Sequence, residues 1–167
     1  MLPLIKTENF GTKPIDQAEK ILHDYIERES IALSVRESDE AFYNPITDSI
    51  TLPRITQFEH AETFYSTAFH ECGHSTLKAN RCDREAENKT ARFGSEDYSK
   101  EELVAEITSA AIMNHIGLET LATFNNSAAY IQNWLKALKN DKKLIVSASG
   151  KAEKAARYIL NINDEKG

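Results

Sequence analysis

The chain has 167 residues, 41% of them apolar and 28% charged, and its 20 basic side chains stand against 26 acidic ones for a net charge of −6. Six Gly, four Pro and two Cys exclude collagen-like, disulfide-scaffold and disordered classes, and the length suits one domain that buries roughly two-thirds of its unfolded surface. No apolar run approaches the roughly 18 residues of a membrane span and residues 1–6 are too short for a signal-peptide core, so a cytoplasmic protein with no membrane partner is expected.

Residues 1–12 carry no periodic pattern and read as a lead-in to a domain spanning 1–167. Over 14–30 apolar side chains recur at Ile15, Ala18, Ile21, Leu22, Tyr25 and Ile26, and Pro14 suits a first helical turn, so the spacing predicts an amphipathic helix. Alternation at Ile31, Leu33 and Val35 predicts a strand. Segments 41–43 and 49–52 flank the turn-forming stretch 44–48, and together they predict a small antiparallel sheet. Helical spacing returns over 59–78, with Phe64, Ala68, Cys72 and Ser75 as its buried line; 80–95 reads as a loop; 98–116 is helical and ends at Gly117. Two more helices are expected over 127–139 and about 151–160, joined by a polar segment containing Gly150. The class is α+β, mostly helical.

His70-Glu71-Cys72-Gly73-His74 fits H-E-x-x-H. On a helix, residues four apart lie one turn above each other, so both imidazoles reach one ion while the intervening carboxylate points beside it. Random placement of the chain's five His and its Glu residues yields this pattern about once in sixty such sequences, so context carries weight. Here the context is a predicted helix preceded by predicted strands, an arrangement suited to holding an extended peptide beside a metal.

A catalytic zinc site needs a third protein ligand. Glu102 and Glu106 share one face at i, i+4 with Ser109, Ala110 and Met113. Two carboxylates on a buried stripe need a cation, which makes one of them a candidate ligand and the other a support for a ligand imidazole. Ser99-x-x-Glu102 also reads as a capping box, a competing use of Glu102 that lapses if the helix starts at Ser95. His60 and His115 are further candidate ligands, but each lies a helix turn or more from the motif and reads as a satisfied or solvent-facing histidine. Cys72 reads as small packing, and Cys72 and Cys82 together as thiols, since their spacing matches no zinc ribbon or redox pair.

Acidic excess over 1–120 disfavours nucleic acid as a partner. The balance reverses over 121–167, with 8 basic and 4 acidic residues, and the lysines at 136, 139, 142 and 143 read as a solvated helix face, or alternatively as a phosphate or partner contact. Neither a dinucleotide nor a phosphate-binding glycine loop is present, nor a serine-hydrolase elbow.

Several blocks occur in order: Ala41-Phe42-Tyr43-Asn44-Pro45 with Ile50-Thr51-Leu52-Pro53, Phe64-Tyr65-Ser66-Thr67 before His70-Glu71, Phe93-Gly94-Ser95-Glu96 leading into Glu101-Glu102-Leu103-Val104-Ala105-Glu106, then Ala129-Tyr130-Ile131, Trp134-Leu135-Lys136 and Leu138-Lys139-Asn140-Asp141-Lys142. Over about 15–160 the chain resembles the zincin-like metallopeptidase domain of ArdC-type antirestriction proteins and of phage and plasmid polyvalent proteins, and more distantly the SprT-like proteases. The resemblance implies a zincin fold with an active-site helix and a gluzincin-like glutamate ligand at Glu102, with Glu106 as the supporting acid. ArdC-type members carry an N-terminal single-stranded-DNA-binding domain, for which this chain is expected to have no room.

The expected chemistry is peptide hydrolysis with one Zn2+ held by His70, His74 and Glu102, Glu71 as general base, and a tyrosine among Tyr43, Tyr98 and Tyr130 beside the oxyanion or substrate. The expected partner is a protein or peptide substrate, with a host restriction enzyme as a further candidate. The alternative is an antirestriction binding protein, engaging DNA or a restriction enzyme, whose metal is structural.

Overall fold

The computed structural model describes residues 5–88 and 95–162. Helix α1 (Asp16–Arg28) places Asp16 and Glu19 in its first turn and Arg28 in its last, a charge order that complements the helix dipole. It buries Ala18, Leu22, Tyr25 and Ile26, as the sequence pattern requires. The lead-in is tied down: Ile5 is buried and the Phe10 N–H donates to the Thr56 carbonyl at 2.7 Å.

Strands β1 (Ala32–Val35), β2 (Phe42–Asn44) and β3 (Ser49–Leu52) form one sheet in the order β1-β3-β2. The expected antiparallel pair is β2 with β3, in register Tyr43 to Ile50. β1 departs from the expectation by running parallel to β3, pairing Leu33 with Ile50. The reason is topological: β2 returns antiparallel to β1 but leaves a gap, and the turn at 44–48 feeds β3 into that gap. β3 is therefore central, with Ile50 and Leu52 fully buried, while β2 keeps an open edge.

A short 3-10 turn (Ile55–Gln57) leads into α2 (Ala61–Ser75), which buries 11 of its 15 residues and is the central helix of the domain. Phe64, Ala68, Cys72 and Ser75 are all buried, as expected. Within the expected 80–95 loop, Glu85–Asn88 form a single helical turn, α3; residues 89–94, including Phe93 and Gly94, lie outside the described residues. Helix α4 (Glu96–His115) starts at Ser95, whose hydroxyl accepts from the Tyr98 N–H at 3.2 Å. Ser99 is therefore inside the helix rather than at its cap, and Glu102 is free of a capping role.

Helix α5 (Leu121–Ala137) begins six residues before the expected 127, because Thr120 and Thr123 cap each other reciprocally. The apolar pattern gave no warning, since Leu121 and Phe124 are exposed. Helix α6 (Lys142–Leu160) likewise starts earlier than 151, capped by Asp141, and Gly150 lies within it on an open face. Its buried line is Ala148, Ala152, Ala155 and Ile159, small side chains that carry little periodic hydrophobic signal. The lysine cluster is not one helix face. It straddles the α5–α6 turn, where Lys139 and Asn140 adopt left-handed backbone angles.

Two apolar clusters meet along α4. One joins α1, the sheet and α2 to Ile112, Met113 and Ile116; the other packs Leu103 and Val104 against Leu138, Ala148 and Ala152. Helices α2 and α4 approach closely at Gly73, where a Cβ would lie 3.2 Å from the Ala105 Cα. That close approach sets the reach of side chains from one helix to the other. Among the described residues no helix is long and apolar enough to cross a membrane.

Candidate metal centre

His70 and His74 lie one turn apart on α2 and face Glu101, Glu102 and Glu106 of α4. The two Nε2 atoms are 3.1 Å apart. Glu102 bridges them, with Oε2 3.2 Å from the His70 Nε2 and Oε1 3.1 Å from the His74 Nε2. One ligand atom from each of His70, His74 and Glu102 lies within 4.8 Å of the others, and among the described residues this is the one such group of three.

The donor set fits a divalent ion. Two imidazole nitrogens and a carboxylate are the side chains zinc prefers, and ligands 2.0–2.1 Å from a tetrahedral centre stand about 3.3 Å apart. Two ring nitrogens facing each other at 3.1 Å also repel through their lone pairs unless a proton or a shared cation lies between them. Burial alone would push the His70 imidazole down, but Glu102 and Glu106 overcome it and hold its pKa up at about 9. Burial is likewise outweighed at His74, where Glu102 and Glu101 keep the ring well above its ordinary value. On Glu102 burial is outweighed by the two imidazoles, and the carboxyl sits well below the usual carboxylate range.

Each histidine turns its other nitrogen toward an acid. The His70 Nδ1–H donates to Glu106 Oε2 at 2.9 Å, a contact of the kind a supporting acid makes with a ligand imidazole. The His74 Nδ1 lies 3.6 Å from Glu101 Oε1, and Glu101 in turn receives a fork from Arg84. Sequence reasoning missed Glu101 and Arg84. Glu101 neighbours Glu102 in the chain but points about 100° away around the helix, and Arg84 lies in the loop after α2, where no periodicity marks it.

Glu71 is 3% exposed and points beside the cluster. Burial raises its carboxyl above the ordinary value against the pull of His70 and His74, and it faces the Tyr43 backbone N–H of β2. The open edge of the sheet thus meets the candidate general base. The three tyrosines differ. The Tyr43 hydroxyl donates to Asp48 at 2.7 Å and is turned to the β2–β3 hairpin, so its side chain is committed there. The Tyr98 hydroxyl bonds Glu102 at the cluster, its pKa pushed up to about 12 by burial and by that carboxylate. The Tyr98 ring packs edge-on against Trp134 at 5.8 Å. Tyr130 lies behind Glu106, in a cavity of about 20 Å³ that also contacts Thr67 and Asn126.

Residues read as bystanders are so placed. His60 and His115 are exposed and away from the cluster, and Cys72 and Cys82 are buried thiols. Burial pushes both thiols up, as packing residues require.

Residues 17–151 match the family model described as a zincin-like metallopeptidase. Two Escherichia coli proteins named DNA primase TraC are similar to the chain. One is 43% identical over 73% of this chain and 8% of its own length, and the other 38% identical over 95% of this chain and 14% of its own. The Mn(II)-bound crystal structure of the ArdC antirestriction protein from the R388 plasmid superimposes with a TM-score of 0.65 at 27% identity, covering 99% of this chain and 57% of that one. The chain therefore spans a small part of the TraC proteins and little more than half of ArdC.

Proposed function

The chain belongs to the zincin-like metallopeptidase family, and from that premise we propose that it is a single metal-dependent domain that hydrolyses peptide bonds. The observation that carries the reading is the convergence of His70, His74 and Glu102 with a buried carboxyl, Glu71, beside them. We assign zinc as the ion from the donor set. When bound, a divalent cation at this cluster polarises the scissile carbonyl and lowers the pKa of water.

Glu71 takes the proton of the attacking water and returns it to the leaving amine, a task that suits a carboxyl whose pKa is raised. The Tyr98 hydroxyl, held at Glu102, is the donor placed to steady charge growing on the carbonyl oxygen. The outer edge of β2 offers backbone groups to an extended peptide, which brings its scissile bond alongside Glu71. In the cell we assign a cytoplasmic location and an antirestriction role with a host restriction enzyme as target, on the likeness to ArdC.

A second reading, a binding protein whose metal is structural, is favoured by one observation: His70 and Glu71 are each only 3% exposed. An assay with unfolded casein separates the two. Hydrolysis is expected with added Zn2+, abolished by a chelator and restored by further Zn2+; a folded, metal-loaded protein that leaves casein intact supports the binding reading.

A further inference from the structure

We propose that Arg84 is a positioning residue for the metal centre, acting through Glu101 on His74; the inference rests on the metal reading above. The guanidinium grips both carboxylate oxygens of Glu101 along one edge, Nε to Oε2 at 3.0 Å and Nη2 to Oε1 at 2.8 Å. Its Nη2 also donates to the Gly73 carbonyl at 3.2 Å, and Nη1 donates to the Thr76 hydroxyl at 3.0 Å, which itself donates to Gly73 O at 2.6 Å. Arg84 is 3% exposed and Glu101 8%. One side chain therefore fixes both the main chain immediately before His74 and the acid behind its ring.

The two histidines are supported differently. Glu106 touches its imidazole directly at 2.9 Å and pairs with no Lys or Arg among the described residues. Glu101 stands off at 3.6 Å from the His74 Nδ1, beyond a good hydrogen bond, and the carboxylate oxygen nearest the ring is the one the Arg84 Nη2 holds. The fork is planar and bidentate, so it sets the carboxylate's rotation as well as its place. Without it Glu101 loses the contact that sets its carboxylate's rotation, and the support that aims the His74 Nε2 at Glu102 and His70 is weakened.

Charge and positioning predict opposite signs. Removing a nearby cation would, by Coulomb's law, tighten binding of a dication. Losing the orientation of a ligand imidazole weakens it, by about 10–100-fold for residues of this kind. The test measures Zn2+ affinity by competition with a chromogenic chelator for wild type, Arg84→Gln, Arg84→Lys, Glu101→Gln and the Arg84→Gln/Glu101→Gln double variant, with thermal melts of the metal-free proteins as the check on folding.

Each single variant is expected to bind Zn2+ about 10–100-fold more weakly. Arg84→Lys falls with the others because it keeps the charge but loses the fork. The double variant is expected to be no weaker than Arg84→Gln, since both changes break the Arg84–Glu101 fork and Arg84→Gln alone already removes the contacts to Gly73 and Thr76. Folded Arg84→Gln or Arg84→Lys with wild-type or tighter affinity overturns the proposal, as do additive losses in the double variant. If Arg84→Gln does not fold, Arg84→Lys, which keeps the charge, decides by the same criterion. A wild-type protein that takes up no ion overturns the metal reading as well, which separates the two failures.

Discussion

Glu71→Gln is expected to lower peptide hydrolysis by about 10²–10⁴-fold while leaving metal content and fold intact. The amide has nearly the volume of the carboxyl and can still face the Tyr43 N–H, so the open edge of β2 stays in place. It cannot take a proton from water at neutral pH. Because burial already disfavours the charged form of Glu71, removing the charge should not lower the melting temperature and is expected to raise it slightly. Initial rates on casein, metal content and a thermal melt on one preparation check all three. A Glu71→Gln protein within a few fold of wild-type hydrolysis would remove Glu71 from the mechanism. In a cellular antirestriction assay, protection that survives this change unaltered would sever that phenotype from proteolysis and favour the binding reading.

Arg81→Met is expected to cost about 1.5–3 kcal/mol of stability, the range for hydrogen bonds to charged groups, since the arginine is buried but Asp48 is partly exposed and screened by solvent. The Arg81 side chain is 1% exposed. It grips Asp48 with Nη1 at 2.8 Å and Nη2 at 2.7 Å, reaches Glu29 Oε1 at 3.2 Å, and donates to the Ser75 carbonyl at 3.0 Å. The hydrogen bonds tie the end of α1, the β2–β3 turn and the end of α2 together, and Asp48 passes the constraint to the Tyr43 hydroxyl.

The same knot gives a pH dependence. The Arg81 hydrogen bonds hold the Asp48 carboxyl below its usual range, so the ionised form is the one the fold prefers. A group lowered in this way contributes fully above its unfolded pKa of about 3.9 and loses that contribution as pH falls through the folded value. Because the Asp48 side chain is 31% exposed, solvent screening moderates the effect. Urea midpoints compared at pH 7 and below pH 4 should therefore fall more steeply for wild type than for Asp48→Asn. Parallel falls would show that Asp48 does not drive the acid loss.

The residues that converge at the cluster are more legible in the sequence than the frame that holds them. Side chains at 70, 71 and 74 are read from spacing alone, because a helix fixes what lies on one face. Glu102 and Glu106 are read the same way, and the i, i+4 pair lies against the two histidines. Glu101 escaped because it meets the cluster from the adjoining face of α4, through an arginine brought there by the loop rather than by periodicity. Tyr43 was picked for its hydroxyl, yet its backbone N–H is what meets Glu71, and no side-chain pattern reports the direction of an edge-strand amide. The parallel run of β1 depends on where β3 inserts, a non-local choice. In α6 the buried stripe is alanine, so Gly150 looked like a break when the chain was passing through it as helix.

The proposed function requires one ion held between α2 and α4. Metal content of wild type, Glu102→Ala and Glu106→Ala, each dialysed against limiting Zn2+ and measured by elemental analysis, tests that most directly. One ion per wild-type chain is predicted, with none retained by Glu102→Ala and binding kept but weakened by about 10–100-fold in Glu106→Ala, which loses only the acid behind His70. Full occupancy in folded Glu102→Ala, with the ion lost instead from Glu106→Ala, would contradict the assignment of the third ligand. A wild-type chain that holds no ion would contradict the metal centre itself.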